Sequence, residues 1–240
     1  MKFGPSLLVA CLALPSLLGA ETTAPDSNAL RDRIVAHAKT VGPDDYAYTR
    51  TVRSEQVSSD KSKTNVIVER WDPTKTGAAR WTLVSVDGRV ATAEESKDYA
   101  KGLPKRRQTH YGRVAGYFEK PFTTTLDARG RTVLSFAALP KETVMVAGTD
   151  LSANATAEAI VNTSGAVPFF EEVRFRSTKP SRLKLVAKIE QFESVTRYRL
   201  MPDGKAAPSE FSSEMKGSML GQEGSIRTRI TYSDQRPTGK

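Results

Sequence analysis

The sequence predicts an α+β fold that is mostly β: a large curled antiparallel sheet, an unclosed β-barrel, with two or three helices on the concave side. Three observations support this prediction. Most of the chain after Thr123 alternates apolar and polar residues with a period of two. Short turn-like segments separate these stretches, as hairpins require. Only three stretches have helical spacing, and the repeat of strand, long helix and strand that builds a parallel sheet does not occur.

The first residues, MKFGPSLLVACLALPSLLGA (1–20), indicate an export signal. Lys2 supplies a positive n-region, the next 16 residues or so are almost continuously apolar, and Gly19-Ala20 offer small residues for cleavage. We expect cleavage after Ala20 and a periplasmic or secreted protein. The alternative is lipid anchoring at Cys11, which ends the segment LVAC. No later segment has the roughly 18 apolar residues of a membrane span, so we expect no transmembrane segment in the mature chain.

Composition limits what the rest of the chain can form and bind. Cys11 is the only cysteine, so a chain cut after Ala20 has no disulfide and relies on core burial. We expect a flexible leader at 21–27 and a single β-rich domain at 28–236. The formal net charge is +9. Because Lys and Arg are spread along the chain, this favours a merely solvated basic surface. For an exported chain the alternative is an anionic envelope surface, in place of nucleic acid, as a partner.

The first predicted elements are one helix and three strands. Leu30, Ile34, Val35 and Ala38 lie at helical spacing in DSNALRDRIVAHAKTVGP, with Asp26 to Asn28 as possible N-caps. The segments YAYTRTVRSEQV and TNVIVERW then alternate as strands, DPTKTG is a turn, and WTLVSV starts a third strand. Asp87-Gly88 ends that strand.

Two more helices are predicted after this turn. Thr92-Ala-Glu-Glu95 is a capping box, in which the Thr92 hydroxyl and the Glu95 carboxylate each satisfy a backbone donor, and the helix continues to Gly102. In THYGRVAGYFEKPF, Tyr111, Val114 and Phe118 share helical spacing, which predicts a second short helix.

Seven further segments are predicted strands, and two of them show which side of the sheet is apolar. In RLKLVAKIEQF, Leu183, Leu185, Ala187 and Ile189 form one face. In SIRTRITYS, Ile226, Ile230 and Tyr232 lie on one face of the strand and charged residues lie on the other. Such alternation predicts a sheet that is exposed to solvent on one side only. The seven segments are 131–139, 156–162, 170–177, 181–193, 196–202, 209–217 and 225–233.

Catalytic and metal-binding patterns are missing from the sequence. The two histidines, His37 and His110, have no HExxH or other ligand spacing, and no Gly-x-Ser-x-Gly elbow occurs. We therefore expect a protein that is not an enzyme, with no cofactor, no catalytic residues and no metal site.

The predicted sheet leaves more apolar surface than three helices can cover. An open sheet of about ten strands curls, and an apolar pocket inside it is where a small ligand binds. We expect this ligand to be a lipid or another apolar molecule. Candidate pocket residues lie on the apolar faces of the strands: Trp71, Trp81, Leu83, Phe136, Phe175, Leu185 and Ile189.

The order of elements resembles a known family. The chain starts with an export signal and an amphipathic helix, continues with three strands that end in the turn VDGR (86–89) and two helices, and finishes with a run of strands that ends in TYS (231–233). This order resembles that of the LolA/LolB-like periplasmic lipoprotein carriers. The resemblance covers about residues 28–232. No motif of the carriers matches closely enough to assign a role to a single residue of this chain. It implies an unclosed barrel that holds lipid or lipoprotein acyl chains without a cofactor, as in outer membrane lipoprotein sorting. The alternative function is a noncatalytic structural or interaction module that docks on anionic envelope surfaces.

Overall fold

A computed structural model describes residues 26–59, 61–102, 109–146, 148–183, 187–219 and 221–239. The predicted export signal with Cys11, the leader up to residue 25, and the pocket candidate Leu185 lie outside the described residues. Within these ranges, no helix is both long enough and apolar enough to cross a membrane.

Two α-helices form where the sequence predicts them. Helix α1 (Ser27–Lys39) starts after Asp26, whose carboxylate accepts the backbone N–H of Asn28 at 2.9 Å. This bond satisfies one of the donors left free at a helix start. Helix α2 is Ala93–Gly102. Within the described residues, three further segments are 3-10 helices: Gly77–Arg80, Tyr111–Glu119 and Ser152–Asn154.

The strands account for most of the remaining described residues. They are β1 Tyr46–Ser58, β2 Lys61–Trp71, β3 Trp81–Val86, β4 Arg89–Val90, β5 Thr123–Leu126, β6 Thr132–Phe136, β7 Met145–Val146, β8 Thr149–Asp150, β9 Ala155–Asn162, β10 Phe169–Ser177, β11 Ser181–Leu183, β12 Ala187–Leu200, β13 Ala206–Met219 and β14 Gln222–Pro237.

Twelve of these strands form one sheet. Its order is β4-β3-β2-β1-β14-β13-β12-β10-β9-β6-β5, with β11 paired to β12, while β7 and β8 form a separate hairpin. Every pairing among the described strands is antiparallel. The sheet is not closed into a barrel, because its outermost strands β4 and β5 do not pair with each other. The predicted fold class, a large open antiparallel sheet with helices, is confirmed.

Helices cover only part of the apolar side of the sheet, which we call the inner face. On β6, β9, β10 and β12, and at Ala206 and Met215 of β13, this face belongs to one buried core with α1 and the 3-10 helix Tyr111–Glu119, and we call this the covered half. Leu134 and Phe136 of β6 are almost fully buried there, and Ile34 of α1 is fully buried. The inner face of β1, β2 and β14, together with Phe211 of β13, is the open half. The opposite side of the sheet is the outer face.

The covered half is a closely packed aromatic and aliphatic core. Phe118 of the 3-10 helix lies 5.6 Å from the Phe136 ring and 5.7 Å from the Phe170 ring, measured between centroids. Tyr111 contributes a polar tie, because its Oη accepts the backbone N–H of Phe170 at 2.8 Å. Burial raises the pKa of Tyr111 well above its usual value, so the hydroxyl stays neutral.

One predicted strand is wrong. Residues 181–193 do not form a single strand, because β11 folds back on β12 and pairs Ser181 with Ile189 and Leu183 with Ala187. β12 then continues to Leu200, through the predicted boundary before Thr196. No Gly or Pro interrupts Ala187 to Leu200, so nothing in that stretch ends the strand. Leu183 and Ala187 share a face as predicted, but across a hairpin.

Three smaller predictions also need correction. Asp87 and Gly88 both have positive φ, 49° and 83°, which is the geometry of a two-residue hairpin turn. The chain therefore forms the short return strand β4 before α2 begins. Residues 111–119 adopt a 3-10 helix instead of an α-helix. Strands β5, β7 and β8 were not predicted, because they are only two to four residues long.

The predicted capping box at α2 is confirmed. The Thr92 hydroxyl accepts the N–H of Glu95 at 3.2 Å, and the Glu95 carboxylate accepts the N–H of Thr92 at 2.8 Å. Glu95 also pairs with Arg89 at 2.5 Å. The hydrogen bonds from Arg89 and from the Thr92 backbone lower the pKa of Glu95 to about 2. Its contribution is therefore complete above the unfolded pKa of 4.5 and is lost as the pH falls towards 2.

Replacing Thr92 with alanine is expected to loosen the start of α2. Loss of an N-cap hydroxyl costs about 1 kcal/mol, which corresponds to roughly five-fold faster opening. Hydrogen exchange of the α2 amides measures this change. Ser96→Ala, within the same helix, is the control and is expected to leave exchange equal or slower, because alanine favours helix. Equal exchange rates in wild type and Thr92→Ala would show that the cap does not hold the helix end.

Candidate functional site

A cavity of about 310 Å³ lies on the open half of the inner face. Four apolar side chains, one from each of four strands, form its floor, and none of them is fully buried. A smaller polar group lies at one end. The lining residues are Val52, Ile67, Phe211 and Ile230 together with Arg50, Glu69 and Thr109.

Strand register sets the apolar floor. Val52 of β1 pairs with Ile67 of β2 on one side and with Ile230 of β14 on the other, and Ile230 pairs with Phe211 of β13. The four side chains therefore form one row across neighbouring strands. Since neighbouring strands lie about 4.8 Å apart, the row spans about 14 Å.

A second row of side chains supplies the polar end. On each strand, its residue is the next one that faces inward, two positions from the residue of the apolar row. Arg50 pairs with Glu69 on β2 and with Tyr232 on β14. The Arg50 Nε donates to Glu69 Oε1 at 2.5 Å, and the Glu69 side chain is fully buried. Tyr99 of α2 donates its hydroxyl to Glu69 Oε2. The ion pair thus also ties α2 to the sheet.

Burial and the partner carboxylate act in opposite directions on Arg50. Burial alone would lower the pKa of Arg50, whereas the Glu69 carboxylate raises it, and the net effect is an increase. Arg50 therefore stays charged at every physiological pH. A buried charge of this kind is tolerated only with a close counter-ion, which Glu69 provides.

Aromatic rings surround the ion pair. The carbon of the Arg50 guanidinium lies 4.2 Å from the Trp81 ring centroid, within the range of a cation–π interaction. Trp81 packs on Trp71 at 5.0 Å, and Tyr48 packs on Tyr232 at 5.3 Å. Tyr48, Trp71 and Tyr232 are nearly fully buried and, with the half-buried Trp81, make a cluster separate from the covered half. We call these four residues the aromatic cluster.

The pocket candidates from the sequence fall into two places. Trp71, Trp81 and Leu83 lie at the polar end: Trp71 pairs with Trp81, and Glu69 pairs with Leu83. Phe136, Phe175 and Ile189 lie in the buried core of the covered half. The structure therefore does not bring the described candidates together, and Leu185 lies outside the described residues. That these residues contact a ligand stays a prediction.

Sequence reasoning missed the residues that line the cavity. Their signal was present in the alternation of the strands, since Ile67, Glu69 and Trp71 share one face of β2 and Ile230 and Tyr232 share one face of β14. Arg50 occupies an inward position of β1 by the same alternation. A charged residue at such a position is unusual enough to mark a site.

Metal ligation has no support among the residues that the structure covers, since no group of three or more His, Cys, Asp or Glu is placed to hold an ion. His37 lies on α1 with its ring 5.3 Å from Tyr111, and burial lowers its pKa. Burial also lowers the pKa of His110, and the charge of Arg113 acts in the same direction. Both imidazoles are therefore favoured in their neutral forms at pH 7.

The outer face is charged but internally compensated. Glu172, Arg197, Glu210 and Arg229 form an alternating row across β10, β12, β13 and β14, with N–O distances of 3.0, 3.5 and 3.1 Å. A hollow of about 480 Å³ on this face is larger than the inner cavity, but acidic and basic side chains alternate along it. Docking of this face on an anionic envelope surface stays a prediction.

Comparison with known proteins adds three similar structures. The sequence matches no protein-family profile and no curated protein. An outer membrane lipoprotein-sorting protein domain from Vibrio parahaemolyticus is 11% identical, with a TM-score of 0.37, over 87% of this chain and 91% of that chain. A LolA superfamily protein from Nitrosomonas europaea is 11% identical, with a TM-score of 0.31, over 89% and 94%.

The third structure is a DUF1329 family protein from Desulfovibrio piger, which is 11% identical with a TM-score of 0.34 over 88% of this chain and 93% of that chain. The superfamily that the sequence resembles is thus represented among these structures. At such TM-scores the overlap in three dimensions is partial. The fold described above therefore rests on the strand order of this chain.

Proposed function

We propose that this protein is an exported, noncatalytic protein that binds an apolar, chain-like molecule such as a lipid in the open half of its inner face. The observation that carries the proposal is the row of Ile67, Val52, Ile230 and Phe211, which lines a cavity of about 310 Å³ and is only partly buried. Cavities of about this size and character are typical of small-ligand sites. The predicted export signal supports a periplasmic or secreted location.

Apolar burial supplies the driving force for such a ligand. Each methylene group that leaves water contributes about 0.8 kcal/mol. A chain of about ten methylenes laid along the row gains up to roughly 8 kcal/mol, which is comparable with the cost of association, about 4–15 kcal/mol. The open half also extends beyond the row, because Ile226 faces inward farther along β14. A ligand longer than the cavity therefore has apolar surface to follow.

A pair of neighbouring substitutions on β2 tests the proposal. Ile67→Lys places a charge in the cavity floor and is expected to weaken binding of a fluorescent fatty-acid analogue by at least about ten-fold, or 1.4 kcal/mol. The control Val66→Lys changes the next residue, which is also half-buried but points to the outer face. It is expected to leave affinity unchanged.

Both tryptophans of the chain belong to the aromatic cluster, so their intrinsic fluorescence provides an independent signal for binding. Native mass spectrometry of protein purified from its own envelope would show whether a molecule stays bound. Failure of the wild type to bind any apolar probe, or equal effects of the two lysine substitutions, would refute the proposal.

A further inference from the structure

We propose that the polar end of the cavity selects the head group of the ligand, and that Arg50 binds an acyl oxygen: the carboxylate of a fatty acid or the carbonyl of an acyl ester. This inference rests on the proposed function, because it assigns the ligand class of the same cavity. It concerns the junction between the row of Ile67, Val52, Ile230 and Phe211 and the ion pair of Arg50 with Glu69.

The placement of Arg50 is the first argument. Arg50 lines the cavity directly beside the apolar row, since it precedes Val52 by two positions on the same face of β1. Arg50 therefore borders the row at its second side chain, and a ligand whose terminal group lies beside Val52 brings that group to the guanidinium. The remaining polar lining residues, Glu69 and Thr109, lie at the same cavity as Arg50. The rest of the lining is apolar, so one polar end and one apolar body match an amphipathic molecule.

The donor inventory of Arg50 is the second argument. A guanidinium carries five N–H donors: the bond to Glu69 Oε1 uses Nε, and the Tyr232 hydroxyl interacts with the guanidinium as well, which leaves further N–H groups for a ligand. The terminal amino groups are arranged as a planar fork that suits the oxygens of carboxylates and carbonyls. Stacking on Trp81 and the bond to Glu69 hold this fork in place. A fixed donor loses little freedom when a ligand oxygen arrives.

The chemistry of the guanidinium limits the kind of head group. Trp71 Nε1, a buried donor of the aromatic cluster, belongs to a residue that does not line the cavity. The Arg50 guanidinium carries donors and no acceptor. It therefore favours a head group that accepts hydrogen bonds over one that is purely cationic.

The charge balance at the polar end limits how much the head group can contribute to affinity. The charge of Arg50 is already balanced by the Glu69 carboxylate before a ligand arrives, which weakens its attraction for a free anion without a tail. We therefore expect the tail to supply most of the affinity and the head group to supply selectivity. Acetate is accordingly expected not to compete with a long-chain probe.

Four dodecyl compounds with different heads test this inference: laurate, methyl laurate, dodecanol and dodecyltrimethylammonium. Wild-type protein is expected to bind laurate or methyl laurate about ten-fold more tightly than dodecyltrimethylammonium, whose head offers no acceptor and adds a positive charge next to Arg50. Tighter binding of laurate than of its methyl ester identifies a free carboxylate, and the reverse order identifies an esterified acyl group.

Two variants connect the selectivity to Arg50. The double variant Arg50→Met with Glu69→Leu removes both members of the ion pair, and it is expected to bind all four compounds with similar affinity. Arg50→Lys keeps the charge but loses the planar fork, so it is expected to reduce the preference for acyl oxygens. Equal or tighter binding of the ammonium compound by wild type, or selectivity retained in the double variant, would overturn the inference while the proposed function stands. Absence of binding by all four compounds would overturn both.

Discussion

Glu69→Ala is expected to lower the free energy of unfolding by about 3–5 kcal/mol, because it leaves Arg50 buried without its counter-ion. The Glu69 side chain is fully buried, and it receives hydrogen bonds from both Arg50 and Tyr99. Removing the carboxylate therefore takes away the counter-ion of the buried Arg50 and the acceptor of the bond from Tyr99, in a site walled by aromatic rings. Urea unfolding followed by the fluorescence of the two tryptophans measures the loss, and α2 is expected to show faster hydrogen exchange as well.

Two further variants make this prediction specific. Arg50→Met combined with Glu69→Leu is expected to recover most of the loss, because apolar residues of similar volume replace a buried ion pair at little cost. Glu214→Ala removes a carboxylate that pairs with Arg227 at 3.3 Å on the outer face, where its side chain is 40% exposed. That loss is expected to be about 0–1 kcal/mol. A cost for Glu69→Ala no larger than that for Glu214→Ala would show that the buried network is not a major source of stability.

Local patterns in the sequence predicted much of the fold. Alternation placed Ile67, Glu69 and Trp71 on one side of β2, and the structure confirms this arrangement by pairing Glu69 with Arg50. The capping box at Thr92 and Glu95 was also readable, since both of its hydrogen bonds join residues three apart. In each of these cases the interaction that determines the structure is encoded within a few residues.

Non-local pairing explains what the sequence did not predict. Whether Leu183 continues a strand to Ile189 or folds back beside Ala187 depends on the partners of β12, and both arrangements keep the same alternation of apolar residues. The cavity raises the same difficulty. Val52 and Phe211 are far apart in sequence, and they line one row only because β14 joins β1 and β13.

The sequence could not predict which half of the inner face is covered by helices, for a related reason. Each apolar strand face looks alike in sequence, whether a helix covers it or not. α1 and the 3-10 helix Tyr111–Glu119 pack over β10 and its neighbours, and the hydrogen bond from Phe170 N–H to Tyr111 Oη helps to hold the 3-10 helix there. Candidates such as Phe136 and Trp81 were therefore grouped by composition, although they lie in different clusters.

Phe136→Ala is expected to destabilise the protein by about 3–5 kcal/mol, as truncation of a buried phenylalanine usually does. Phe136 is 1% exposed, and its ring packs against Phe118 and Phe122 at centroid distances of 5.6 and 5.8 Å. If the ligand lies in the open half, as we propose, the folded variant keeps wild-type affinity for the fatty-acid analogue. Urea unfolding and probe titration at a temperature where the variant is folded measure the two quantities separately.

Phe211→Ala is the matched control, because it truncates the same side chain in the cavity floor. Phe211 is only half-buried, so the stability loss is expected to be smaller, about 1 kcal/mol. Probe affinity is expected to fall, because the row loses one of its four side chains. The two variants thus separate packing from binding. Phe136→Ala is expected to lower stability and leave affinity unchanged, whereas Phe211→Ala is expected to lower affinity with little loss of stability. Loss of affinity in Phe136→Ala but not in Phe211→Ala would move the ligand to the covered half, where Phe136, Phe175 and Ile189 were first predicted to line a pocket.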